Sequence, residues 1–302
     1  MSSNERKDKP LVSVAIITYN QKDYLRECIE SCLEQDYPNF EVVVADDCST
    51  DGTQEMLREY DTKYPGKFVL KLAEKNQGIT PNSNVAHFAC SGKYIAWMGG
   101  DDLMLPGKIS NQVEFMESNP DCTISYHDLD VFQSETNKSL YLFSVKNRPR
   151  EGKVDISIKY GVFNGACSSM VRKDKTPRNG FNQFIPVASD WLYWVESLNN
   201  GGEIKYINKV LGKYRRHSNN VTNKGMLIGQ NVVDHLNTCG FILKSNPGML
   251  KNINYVYSSI LKSNRHCLPY STVLLGRLRV SFDLQCIVAL VVYYISLGKV
   301  RL

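Results

Sequence analysis

Residues 94–102 read YIAWMGGDD, an apolar run that stops at two glycines and then two adjacent carboxylates. A stretch of this length bounded by turn residues predicts a buried strand. Asp101 and Asp102 would then stand at its carboxyl end, where open α/β sheets bind ligands. Two neighbouring carboxylates repel each other unless a proton or a cation lies between them, and a divalent metal is the simplest cation to supply. An Asp pair that only turns the chain or caps the next helix is the structural alternative.

Working back toward the N-terminus, the same pattern occurs three times: an apolar run, a polar turn, then a helical period. Residues 12–18 (VSVAIIT) lead into a helix with Leu25, Cys28, Ile29, Cys32 and Leu33 on one stripe. Residues 40–45 (FEVVVA) close on a second acidic turn, Asp46 to Gly52, before a helix expected over residues 53–64. Residues 68–72 precede a helix expected to start with Thr80 as N-cap and Pro81 at its first position, and to end before Gly92. Strands alternating with helices imply crossover connections and a mostly parallel sheet covered on both faces. Two acidic turns at strand ends would focus negative potential on one rim, which suits a metal carrying a phosphate. No GxxxxGK[ST] is present, and no GxGxxG follows a strand, so the P-loop and the usual dinucleotide fingerprint are excluded.

Four blocks in order then carry a family resemblance: residues 12–25 (VSVAIITYNQKDYL), 46–53 (DDCSTDGT), Asn76 with Gly78, and 91–102 (SGKYIAWMGGDD). Together they resemble the nucleotide-binding half of glycosyltransferase family two, over roughly residues 10 to 220. The resemblance implies an α/β protein of GT-A fold, a Rossmann-like mostly parallel sheet flanked by helices. It also implies an inverting, Mn²⁺- or Mg²⁺-dependent enzyme that takes sugar from a UDP- or GDP-type nucleotide diphosphate sugar. Thr18, Tyr19 and Asp47 would hold base and ribose: a carboxylate can accept a ring N–H of the base, and a tyrosine offers a face for stacking. Asp46 and Asp47 have a competing role in an Asx turn and helix N-cap, which Ser49 or Asp51 would also serve. Lys75 would meet the pyrophosphate or remain a solvated lysine. Asp101 would also face the donor. The metal ligands implied are Asp101, Asp102 and His217, with Gly99 standing where the family often has its first Asp.

An acceptor hydroxyl needs a base. Residues 186–196 (PVASDWLYWVE) place Ser189 as N-cap and Asp190 in the first turn of a helix. The resemblance makes Asp190 the catalytic carboxylate, and the helix N-terminus would favour its ionised form. The same dipole also attracts acids with no catalytic role. Residues 213–222 (KYRRHSNNVT) end a short β-like run over 210–214, and by resemblance His217 would reach the metal or diphosphate with Arg215 and Arg216 nearby. Residues 163–170 (FNGACSSM), with Trp191, Tyr193 and Trp194, are expected either as an acceptor wall or as core.

The 302 residues are 42% hydrophobic and 22% charged, an ordinary globular balance. Nine scattered cysteines read as reduced core residues. The net charge of +5 is too mild and dispersed to argue for nucleic acid. The organisation expected is a polar leader over 1–9, a nucleotide-sugar half over 10–130, an acceptor and catalytic-base half over 131–225, and a helical C-terminal extension over 226–302. In the extension a helix is expected over 226–245, with Leu227, Val233, Leu236 and Phe241 as its apolar positions. Residues 284–298 carry no charge and are flanked by Arg277, Arg279, Lys299 and Arg301, so this segment is expected to dock on a membrane surface, on a second subunit, or on the core. The chain reads as cytoplasmic, or peripheral on the cytoplasmic face of the inner membrane, acting on a saccharide or lipid-linked saccharide in O-antigen or capsule synthesis. A non-catalytic sugar-nucleotide-binding protein and a receiver-like phosphotransfer module are the rival classes.

Overall fold

The computed structural model describes residues 9–218, 220, 225–264, 269–280, 284–296 and 298–300. The three expected units form one parallel array. β1 (Val12–Thr18) lies between β2 (Phe40–Asp46) and β4 (Tyr94–Gly99), and β3 (Phe68–Leu72) completes the order β3-β2-β1-β4. Three helices make the crossovers: α1 (Lys22–Leu33), α2 (Thr53–Lys63) and α3 (Ile79–Ala89).

Alternation along β1 explains the layers. Val12, Val14 and Ile16 face α1 and α2, where Leu25, Cys28, Ile29, Cys32, Met56 and Leu57 pack. Ala15 faces the other way, toward Ala86, Cys90 and Trp97. Both sheet faces are thereby buried, and apolar burial of this kind is the main stabilising contribution to such a sheet.

The start of α3 differs from expectation. Gly78, at φ 97°, is the N-cap and Ile79 the first helical residue, so Thr80 is inside the first turn. Its hydroxyl is spent on Ile185 and Ser189 instead of on a cap. Pro81 still falls in the first turn, where its missing N–H costs no intrahelical bond.

Beyond β4 the sheet becomes mixed. β8 (Met170–Arg172) runs antiparallel to both β4 and β6 (Cys122–Gln133), and β9 (Glu203–Arg216) runs parallel to β6. The short β5 (Leu103–Met104) pairs antiparallel with β9, and β7 (Ser139–Leu142) forms a hairpin on β6. The boundary expected near residue 130 falls inside β6, because both halves share this one sheet. The run expected over 210–214 is the end of a much longer strand.

Four more helices follow before the tail: α4 (Lys108–Ser118), α5 (Phe143–Lys146), α6 (Val154–Tyr160) and α7 (Asp190–Asn199). The acceptor wall drawn from aromatic composition is core. Phe163, Tyr193 and Trp194 pack with Phe181 and Trp97 under the sheet, and Trp191 packs with Ile158 and Ile242. Burying these rings satisfies far more area than a solvent-facing wall would.

α8 (Gly225–Ser245) buries Val232, Asp234, Thr238, Cys239 and Ile242, while Val233 of the expected apolar set is 45% exposed. α9 (Leu250–Ser263) joins the same cluster through Ile253 and Val256. α10 (Tyr270–Val280) and α11 (Leu284–Ile295) pack on each other around Leu274, Cys286, Ala289 and Leu290. Among the described residues, no helix is long and apolar enough to cross a membrane.

Candidate functional site

The carboxyl ends of β1 and β4 meet first. Gly100 donates its N–H to Ile17 O at 3.0 Å, and a Cβ at Gly100 would come within 2.9 Å of Thr18 Oγ1. Only glycine allows this approach without moving the buried Thr18. The turn projects the next two acids in different directions. Asp101 faces His217 at the end of β9, with His217 Nε2 3.0 Å from Asp101 Oδ2. Asn220 Nδ2 donates to the same oxygen at 3.0 Å, and Asn220 Oδ1 accepts the His217 N–H at 2.6 Å. The Tyr24 ring lies against the imidazole, centroids 4.6 Å apart.

Asp102 turns inward and is buried. Its Oδ1 accepts the Arg215 N–H at 3.0 Å, and burial, followed by repulsion from Asp101, pushes its carboxyl well above the usual carboxylate range. Arg215 is buried as well. Its Nε donates to Asp101 O at 2.7 Å, one terminal nitrogen meets Glu27 at 2.5 Å, and its plane lies over Tyr24 and Phe132. Asp102 and Arg215 thus lock β4 to β9; beside that lock the Asp101 side chain is 16% exposed, while the His217 side chain that meets it is buried. Gly99 explains the departure from the family motif: a Cβ there would meet Asp101 Oδ1 at 2.8 Å and Asp102 Oδ2 at 3.3 Å. The space of a first acid is filled by the carboxylates that follow it.

The second acidic turn sits beside this corner. Asp47 donates its N–H to Thr18 O at 3.1 Å, and its carboxylate accepts the N–H groups of Gln77 and Gly78, each at 2.8 Å. Asp47 is therefore a clasp that shapes the turn before α3, with acceptor lone pairs left over. Asp46 does what an Asx turn requires, accepting from Ser49 N–H at 3.0 Å, from Ser49 Oγ and from Gln54 Nε2 at 2.9 Å. Tyr19 is 47% exposed just past β1, and Lys75 is exposed on the turn that leads to Gly78.

Asp190 is the first residue of α7, as expected, and Ser189 is its N-cap residue. Ser189 makes no side-chain cap bond; its hydroxyl lies 2.8 Å from Thr80 Oγ1. The expected electrostatic effect is reversed. Burial raises the Asp190 pKa, and the nearby His235 of α8 only partly offsets it. Desolvation of the anion outweighs the helix dipole here, since the dipole contributes only about 0.3–1 kcal/mol even at the first turn. A carboxylate whose pKa is raised is a better proton acceptor than an ordinary one.

Reading the sequence alone gave Asn220 and Glu27 no role in the site, and gave Thr80 only that of a helix N-cap. Asn220 had a signal, since it follows His217 by three residues in a turn-forming SNN run. Glu27 and Thr80 had none, being joined to the site only through contacts far apart in sequence.

Comparison with known proteins gives the family and the fold. Residues 13–175 match the model of Glycosyl transferase family 2. A Bacillus subtilis protein named "Putative teichuronic acid biosynthesis glycosyltransferase TuaG" is 28% identical over 214 residues, 71% of this chain and 82% of that one. The Escherichia coli UDP-Glc:alpha-D-GlcNAc-diphosphoundecaprenol beta-1,3-glucosyltransferase WfaP is 27% identical over 267 residues, 86% of this chain and 97% of its own. Among solved structures, the mannosyltransferase PcManGT from Pyrobaculum calidifontis with GDP-Man and Mn²⁺ superposes with a TM-score of 0.64 at 18% identity, covering 97% of this chain and 81% of that one. S. aureus TarS 1-349 with UDP-GlcNAc gives 0.62 at 18% identity, covering 96% and 93%. The fold is GT-A, and the strand ends that carry Thr18, Asp47 and Asp101 lie within the matched residues: this chain belongs to glycosyl transferase family 2.

Proposed function

We propose that the chain moves a sugar from a UDP- or GDP-sugar to a hydroxyl of a saccharide or lipid-linked saccharide acceptor, with inversion, during assembly of a bacterial surface polysaccharide such as O-antigen or capsule. Glycosyl transfer itself is the activity of the family. The polysaccharide role draws on what TuaG and WfaP are named for. The observation that carries the site assignment is the Asp101–His217 pair at 3.0 Å, which joins the ends of β4 and β9 beside the turn held by Asp47.

Asp101 and His217 would hold a divalent metal between them. Among the described residues no three His, Cys, Asp or Glu side chains converge, so two protein ligands plus donor phosphates and water would complete the shell. A carboxylate with an imidazole favours Mn²⁺ over Mg²⁺. Held by Asp101 and His217, such an ion would supply positive charge to a leaving diphosphate. Asp102 serves as the buried support for Arg215 and not as a ligand. Thr18, Tyr19, Asp47 and Lys75 line the donor side, where Tyr19 offers an exposed ring to a base and Lys75 an exposed cation to the diphosphate. Asp190 removes the acceptor proton while the hydroxyl attacks the anomeric carbon from the face opposite the diphosphate. The C-terminal helices bring the chain to the cytoplasmic face of the inner membrane, where a lipid-linked acceptor would be found.

The test is donor binding followed by turnover. UDP- or GDP-sugar should raise the melting temperature, more so with Mn²⁺, and Asp101→Asn should remove the Mn²⁺ increment. Asp190→Asn should bind donor normally yet lose about 10²–10⁴-fold in transfer or donor hydrolysis. A folded Asp190→Asn protein with normal turnover refutes the base. A wild-type chain that binds donor and Mn²⁺ but never releases nucleotide is the non-catalytic binder.

A further inference from the structure

The segment that delivers Asp190 is gripped from two sides by groups with no role so far. On one side is Asp234 of α8, fully buried, with Oδ2 accepting the N–H groups of both Val187 and Ala188 at 2.9 Å. Gln230 Nε2 donates to its other oxygen at 2.7 Å. On the other side is Thr80, also fully buried, with Oγ1 donating to Ile185 O at 2.6 Å and meeting Ser189 Oγ at 2.8 Å. The Thr80 N–H adds a bond to Pro186 O at 3.3 Å. Every residue from Ile185 to Ser189 is thus bonded to Thr80 or Asp234, immediately before Asp190.

Packing alone does not call for these groups. A buried carboxylate costs several kcal/mol in desolvation unless its hydrogen bonds are made, and an apolar residue would join α8 to its neighbours more cheaply. What the carboxylate supplies is aim: two adjacent N–H groups converge on one oxygen, which fixes the peptide planes before the helix. Thr80 supplies a connection. It stands two residues after Gly78, whose N–H is held by Asp47 at 2.8 Å, so the donor-side turn and the Asp190 segment share one short stretch of α3.

We propose that Asp234 and Thr80 are positioning residues that clamp residues 185–189 and set where Asp190 presents its carboxylate, with Thr80 referring that position to the donor turn held by Asp47. The proposal rests on Asp190 as the base. It gives α8, which lies outside the residues matched by the family model, a part in transfer. The effect belongs to kcat, because the clamp touches neither the Asp101 corner nor the exposed Tyr19.

The full chain carrying Thr80→Val, Thr80→Ser or Asp234→Leu tests it, with Asp190→Asn as reference and melting temperature as the folding control. Thr80→Val and Asp234→Leu, which remove the hydroxyl and the acceptor oxygen, should lower kcat about 10- to 100-fold while donor KM and the UDP- or GDP-induced thermal shift change less than about threefold. Thr80→Ser, which keeps the hydroxyl, should stay within about threefold of wild type. Full kcat in folded Thr80→Val and Asp234→Leu overturns the clamp while an inactive Asp190→Asn leaves the base in place. Loss of donor binding in step with kcat also overturns it, since that is general loosening. If Asp234→Leu does not fold, the Thr80 pair decides alone. An active Asp190→Asn removes the base and the clamp with it.

Discussion

At the scale of the residue, chemistry here is decided by where a carboxylate points. Asp101 and Asp102 are adjacent and identical in type, yet one meets His217 and Asn220 while the other is buried under Arg215. Gly99 permits both placements, which leads to a specific outcome. Gly99→Ala should fold, because the atom its Cβ meets is a movable carboxylate end, but Asp101 must shift. The Mn²⁺-dependent thermal shift with nucleotide should shrink and kcat should fall about tenfold or more, whereas an unchanged Mn²⁺ response would show that Asp101 is not a ligand. Asp190 yields a second outcome. Its folded pKa is raised by burial, so the deprotonated base is lost as pH falls through a value above the usual carboxylate range. The acid limb of kcat/KM should lie above about pH 4, and a limb at that value would count against Asp190 as the group reported.

Between elements, polar contacts buried under α3 tie the donor half to α7. His87 of α3 lies 3.1 Å from Tyr193 Oη of α7, edge-on to Phe181 and Tyr193. Burial, helped by Lys173, pushes its pKa down to about 4. The unfolded chain takes up this proton near pH 6.5 and the folded chain does not until about pH 4, so stability present above 6.5 drains away as pH falls through that window. The loss contributed by this one group should reach about 3 kcal/mol. Urea unfolding at pH 7 and pH 4.5 measures it. His87→Gln should cost stability at pH 7 yet show a smaller drop on acidification, and an equal drop in both proteins would place the acid sensitivity elsewhere. The apolar helix stripes needed no such contact to be read. Leu25, Cys28, Ile29 and Cys32 recur at helical spacing and are buried together, because period and burial are local properties of the chain.

Across the whole molecule, the C-terminal helices divide in two. α8 and α9 share a core with α6 and α7, whereas α10 and α11 form a small cluster of their own. α11 exposes Leu284, Val288, Val291 and Ile295 along one face, at 65%, 50%, 51% and 79%. Residues 247–302 carry seven Lys or Arg and one Asp, a formal +6, so essentially all of the chain's +5 resides there. An apolar stripe within a basic segment suits an anionic lipid surface. The 302-residue chain should therefore sediment with anionic vesicles and be released by salt, while a chain ending at residue 264 should stay folded and remain in the supernatant. If both partition alike, the membrane reading fails; if shortening instead converts a dimer to a monomer, a second copy covers the stripe.

Much of this protein was written locally. The βαβ order, the acidic turns at strand ends and Asp190 at a helix start all follow from periodicity, glycine and proline placement and capping, which act over a few residues and survive in any context. Other properties had no local address. Trp191, Tyr193 and Trp194 serve equally well for stacking a sugar or filling a core, and only the closing of α7 onto the sheet made them core. Which acid is presented and which is buried, and the raised pKa of Asp190, depend on groups brought in from β9 and α8 more than forty residues away. Solvent exclusion and charge proximity exist only once those distant segments have met, so tertiary structure alone could decide them.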